Sequence, residues 1–160
     1  MTLTYDETHI DICKIELAET LKSGDTLLIT TPFHVKIPKS FSRLGHVEQS
    51  YQITQWYPKP AVYDAKGWHP MPYLDQGEFY SEYGSFDVKI TLPKNYVVGA
   101  TGDLQNQEEQ KWLNEKAAET LKITTFEDNT DFPKSSSEMK TLHYKLSLIH
   151  ISEPTRPSSL

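Results

Sequence analysis

Cysteine is nearly absent from the chain, with Cys13 as the single copy in 160 residues. One cysteine cannot close an internal disulfide, and it excludes zinc sites built from several thiolates. Long hydrophobic runs are also missing, since no stretch approaches the roughly 20 apolar residues of a membrane-spanning helix. The polar residues after Met1 lack the apolar segment of a signal peptide. The single cysteine therefore excludes an internal disulfide, and the lack of a long apolar run gives no indication of a membrane-spanning helix.

Basic residues are the scarcer charged class, with 16 Lys and Arg against 22 Asp and Glu. They form no stripe along the chain, so we expect no nucleic-acid partner. Three catalytic signatures are missing as well: a G-x-S-x-G serine elbow, a glycine-rich phosphate loop, and two histidines spaced i, i+4 on one helical face. Residues 99–102, G-A-T-G, are expected to form a bulge or turn after a strand.

Aromatic and turn-forming residues are abundant, with nine Tyr, three Trp and ten Pro. This composition favours strands and turns over helices. Apolar and polar residues alternate over residues 27–37 and again over residues 86–92, which predicts two half-buried strands. A turn is predicted at residues 93–95, so residues 96–100 are expected to return beside the second strand as a hairpin.

One helix is predicted over residues 106–121, from good helix formers with an apolar face that holds Trp112, Leu113 and Ala117. Residues 121–125 and residues 142–144 alternate again and predict further strands. Between the early strands, residues 61–82 are expected to form an irregular, aromatic-rich loop. This order of elements predicts a mainly β protein, an antiparallel β-sandwich or open sheet with one short helix.

Several side chains could carry binding or catalysis. His46 and His69 could hold a metal ion together with a carboxylate, or they could be loop histidines without a ligand. A set of acidic residues could perform acid–base chemistry, bind calcium, or accept hydrogen bonds from loop amides. A set of aromatic residues could stack on sugar or peptide, or pack the loop onto a sheet. The two sets are Asp75, Glu78, Glu82 and Asp87, and Trp56, Tyr57, Trp68 and Tyr73.

Five short motifs follow one another along the middle of the chain. They read T-Q-W-Y-P-K-P-A-V-Y-D, G-W-H-P-M-P-Y, G-E-F-Y-S-E-Y-G, D-V-K-I-T-L-P and V-V-G-A-T-G, at residues 54–64, 67–73, 77–84, 87–93 and 97–102. Together they resemble the amino-terminal domain of aminopeptidase-N-like zinc metallopeptidases of the Bacteroidota type. The resemblance depends on the order of the matches rather than on any one of them.

The resemblance, which spans residues 17–145, implies a saddle-like β domain that packs on a thermolysin-like catalytic domain and helps to wall the substrate cleft. It implies that the parent protein hydrolyses peptides with a zinc ion held by that catalytic domain. The family's H-E-x-x-H and G-x-M-E-N motifs do not occur in this chain. No catalytic, cofactor-binding or metal-binding residue is therefore assigned here. Many family members line the first substrate pocket with a Gln, and the choice among Gln49, Gln52 and Gln55 stays open.

Residues 146–156, L-S-L-I-H-I-S-E-P-T-R, match the translation of a transposase-type sequencing adapter. We therefore predict a disordered tail at residues 146–160 and part of the amino-terminal domain at residues 1–145. The expected partners are the catalytic domain of the same parent chain and the parent's peptide substrate, and the expected location is the periplasm or cell envelope. The alternatives are a stand-alone carbohydrate- or peptide-binding β module and a purely structural domain.

Overall fold

A computed structural model of the chain describes residues 2–74, 80–125 and 133–147. The chain forms two compact units, Met1–Glu82 and Tyr83–Leu160. The described residues form nine strands in small antiparallel sheets and one helix, and these sheets do not close into a barrel. The predicted class, mainly β with one short helix, is therefore confirmed.

The first unit contains three two-stranded antiparallel ribbons. Neighbours along the chain pair in each: β1 (Thr2–Tyr5) with β2 (Cys13–Glu16), β3 (Gly45–Val47) with β4 (Ser50–Gln52), and β5 (Val62–Asp64) with β6 (Gly67–His69). Strands this short bury little surface by themselves. Among the described residues of this unit, Val62 is the one buried large apolar side chain, with 1% of its surface exposed. Turns and local contacts therefore hold the ribbons more than a shared core does.

The prediction of a strand over residues 27–37 is wrong. This segment joins no sheet within the part of the chain that the structure describes. Leu28 is 87% exposed, whereas Leu27 and Ile29 are 45% and 51% exposed, so the alternation survives as half-burial of one side. Pro32 also removes a backbone donor from the middle of the segment. Alternation indicates which side packs, but pairing needs a neighbouring strand that the local sequence does not specify.

The irregular loop predicted over residues 61–82 contains the β5–β6 hairpin, which corrects the prediction. Ala65 and Lys66 connect the two strands, and Asp64 Oδ1 accepts a 2.8 Å hydrogen bond from the backbone N–H of Lys66. Gly67 follows with φ +104°, a conformation that is unstrained only for glycine. The sequence Asp-Ala-Lys-Gly at residues 64–67 therefore forms the turn of this hairpin. The aromatic-rich composition of the segment did not indicate it.

The second unit is a three-stranded antiparallel sheet with one helix. Its elements in chain order are β7 (Phe86–Pro93), β8 (Asp103–Leu104), α1 (Gln107–Thr120) and β9 (Met139–Leu146). The spatial order of the strands is β7–β9–β8, so the last strand along the chain is the central one. It carries Leu142 and Tyr144, which are 2% and 5% exposed and form the core of this unit. The strand predicted at residues 142–144 is thus confirmed, whereas the strand predicted at residues 121–125 is wrong, since these residues form a turn and coil after α1.

The strand predicted over residues 86–92 is confirmed as β7, but its predicted partner at residues 96–100 is wrong. The predicted turn is present, because the Tyr96 backbone N–H donates to Pro93 O at 3.1 Å. Residues 96–100 nevertheless form no strand, and β7 pairs along its whole length with β9. The distant strand prevails because it brings the unit's core side chains against β7, a gain that a local hairpin does not offer.

The helix predicted over residues 106–121 is confirmed as α1, which is one residue shorter at each end. Trp112 and Leu113 are half-buried, as expected for its apolar face, but Ala117 is exposed. The face that packs is therefore confined to the first half of the helix.

The predicted tail overlaps β9 at its first residue. Leu146 is the last residue of that strand and lies opposite Phe86. Residues 148–160 lie outside the described residues, so the predicted disorder there stays a prediction.

Candidate functional site

The β5–β6 hairpin presents two aromatic rings on one face. Side chains alternate between the faces of a strand, and the register places Tyr63 directly opposite Trp68. Their ring centroids are 4.8 Å apart and their planes are inclined at 54°. Tyr63 is 64% exposed and Trp68 is 66% exposed. An exposed ring pair on a hairpin can stack against a ligand that has a flat apolar surface.

The opposite face of the hairpin is anchored by a histidine–carboxylate contact. His69 Nε2 lies 2.8 Å from Asp64 Oδ1, a close contact that lacks the alignment of a hydrogen bond. This side-chain contact, followed by the backbone N–H of Lys66, lowers the pKa of Asp64 below its ordinary value. The His69 ring also meets Tyr80 edge-on at 5.6 Å. His69 therefore acts as a structural residue of the hairpin.

A second aromatic group forms around Trp56. Its ring lies 5.5 Å from Tyr57 in an edge contact and 5.9 Å from Phe33 in a tilted contact. Trp56 is 37% exposed, and burial raises the pKa of Tyr57. These contacts favour a packing role for Trp56 and Tyr57.

The predicted aromatic set is thus divided. Trp68 contacts the ring of Tyr63, which was not in the predicted set. The contact follows from the register of the hairpin, and the sequence did not predict that hairpin. Tyr73 is 53% exposed, and its backbone N–H donates to Asp11 Oδ2 at 2.6 Å. The structure therefore supports the exposed pair Tyr63–Trp68 as the candidate binding face, with Trp56 elsewhere in the first unit's packing.

The described part of the chain contains no metal site on His46 and His69, which the sequence left open as one of two alternatives. His46 Nδ1 lies 3.3 Å from Glu48 O, and its ring stacks on Tyr51 at 5.5 Å. His69 is occupied by Asp64, as described above. Over residues 2–74, 80–125 and 133–147, no group of three or more His, Cys, Asp or Glu side chains could hold a metal ion.

The predicted acidic set is only partly described. Asp75 and Glu78 lie outside the described residues. Asp87 belongs to β7, where its Oδ1 lies 2.7 Å from His143 Nε2 and its Oδ2 lies 3.7 Å from Lys145 Nζ. The hydrogen bond with His143 is the main cause of the lowered pKa of Asp87. This carboxylate is engaged by basic partners on the neighbouring strand.

The three Gln candidates differ in setting. Gln49 lies in the turn between β3 and β4, and Gln52 ends β4. Gln55 has φ +52°, and its Oε1 accepts a 2.6 Å hydrogen bond from Lys59 Nζ. Burial lowers the pKa of Lys59. None of these contacts selects one Gln as a substrate ligand.

The second unit holds a nearly buried ion pair between helix and sheet. Lys140 Nζ lies 2.6 Å from Glu109 Oε1, and the two side chains are 13% and 9% exposed. The same ammonium lies 4.1 Å from the centre of the Trp112 ring. Pairing and ring contact offset part of the desolvation of both charges, and the ion pair links α1 to β9.

An open groove of about 410 Å³ lies between residues 98–104, α1 and β9. Tyr144 is in its wall, and the phenol donates a 3.0 Å hydrogen bond to Val98 O. Gly102 has φ +101°, and a Cβ there would lie 2.6 Å from Lys145 O. The predicted turn at residues 99–102 is thus a bend that brings the backbone close to β9.

Comparison of the chain with protein-family models, with curated proteins and with solved structures finds no match. None of the described helical residues forms a segment that is long and apolar enough to cross a membrane.

Proposed function

We propose that the chain is the non-catalytic amino-terminal β part of a zinc-dependent aminopeptidase. In this role it packs on the catalytic domain of the parent protein and walls the cleft that receives peptide. The observation that carries the proposal is the ordered set of five motifs across residues 54–102. A mainly β fold with one helix is compatible with the domain that these motifs resemble.

Exposed apolar side chains add physical support. Ile10, Leu28 and Phe41 are 85%, 87% and 86% exposed in the first unit. Exposed apolar side chains of this size are compatible with a surface that another domain covers. The burial of such residues against a catalytic domain would supply the driving force for docking.

The zinc chemistry of the proposed parent belongs to its catalytic domain. Held by the residues of that domain, a zinc ion would polarise the scissile carbonyl and activate water. We assign no ligand of that ion to this chain, because the family's zinc motif does not occur in its sequence. Its own contribution is to bind the catalytic domain and to shape the cleft.

The proposal is tested by assaying the chain and its parent protein side by side on aminoacyl-coumarin substrates. We expect hydrolysis by the parent that a chelator abolishes and zinc restores, and no hydrolysis by the chain. The chain is then added to a parent variant that lacks its amino-terminal domain but keeps the catalytic domain, since docking is expected to change the apparent KM of that variant. Chelator-resistant hydrolysis by the chain itself would refute the proposal.

A stand-alone binding module is the second candidate, and the exposed Tyr63–Trp68 pair favours it. We expect such a module to bind oligosaccharides or peptides by stacking on these rings. Calorimetric titration of the chain with glycan and peptide panels tests this function. Trp68→Ala should abolish binding, whereas Tyr5→Ala, which removes a ring that is 66% exposed on another ribbon, should not. Equal affinities of the two variants would exclude the hairpin as the site.

A further inference from the structure

We draw no further inference here: the strongest candidate, the half-exposed apolar patch of Leu27, Ile29, Phe33 and Val35 on the segment that joins no sheet among the described residues, carries nothing because nothing in the structure shows what covers it.

Discussion

At the scale of single residues, Asn106 shows how a side chain can serve a strand instead of its own helix. It directly precedes α1, where an Asn usually caps the first turn. It makes no side-chain cap, and its amide bonds instead to the backbone of His143 and Thr141. The amide thereby continues the β8 side of the ladder beyond the end of β8.

We expect Asn106→Ala to lower the free energy of unfolding by about 1–3 kcal/mol, because two strand groups lose their partner. Asn106→Asp keeps the acceptor for His143 and loses only the longer bond to Thr141 O, so its effect should be smaller. Urea denaturation measures both variants. Equal stability of Asn106→Ala and the wild type would show that water replaces the amide.

The Glu109–Lys140 pair provides a second prediction. Glu109→Ala leaves the Lys140 ammonium nearly buried and unpaired, so we expect a loss of about 3 kcal/mol. The Glu109→Leu/Lys140→Met double variant removes both charges and should fall within about 1 kcal/mol of the wild type. Glu119→Ala, which breaks the exposed Lys116–Glu119 pair, is the control, and we expect no resolvable change in its free energy of unfolding. A control as costly as Glu109→Ala would contradict this account.

Asp87 gives the chain an acid-sensitive contact. Its pKa lies below the ordinary 3.8 because His143 hydrogen-bonds to the carboxylate. A depressed pKa adds stability above the unfolded pKa, and that stability is lost as the pH falls through the lower folded value. Asp87→Asn should therefore lose less stability than the wild type on acidification below pH 3.8. Thermal melts across this range measure the difference, and parallel curves would contradict the contact.

At the scale of elements, periodicity predicted what each segment is but not what it pairs with. It identified α1, β7 and the buried side of β9, because each has a clear local pattern. It predicted the wrong pairing partner for β7, and it predicted a strand at residues 27–37, which join no sheet in the described part of the chain. Partner choice depends on which pairing buries the core, and a local pattern carries no information about that. The hairpin site was missed for the same reason, since Tyr63 and Trp68 meet only through register.

The central position of β9 leads to an element-scale prediction. Leu142→Ala, at a side chain 2% exposed, should cost about 2–5 kcal/mol through lost burial and the cavity that remains. Met139→Ala, in the same strand but 57% exposed, should cost below about 0.5 kcal/mol. Denaturant melts compare the two variants. Similar losses would show that β9 is not the core strand.

At the scale of the whole molecule, exposed apolar surface stands out against a small core. Among the described residues, three large apolar side chains are buried: Val62, Leu142 and Tyr144. Many more are exposed, and docking on a larger protein would cover them. This imbalance supports the proposal of a domain whose stability depends on a neighbour.

The central claim is that this chain is one wall of a larger zinc peptidase, and the genomic DNA that follows the codon for Lys145 tests it most directly. We predict an open reading frame that continues beyond this codon, diverges from the sequence of residues 146–160, and encodes H-E-x-x-H downstream. A genomic reading frame that encodes residues 146–160 and stops directly after Leu160 would contradict the claim.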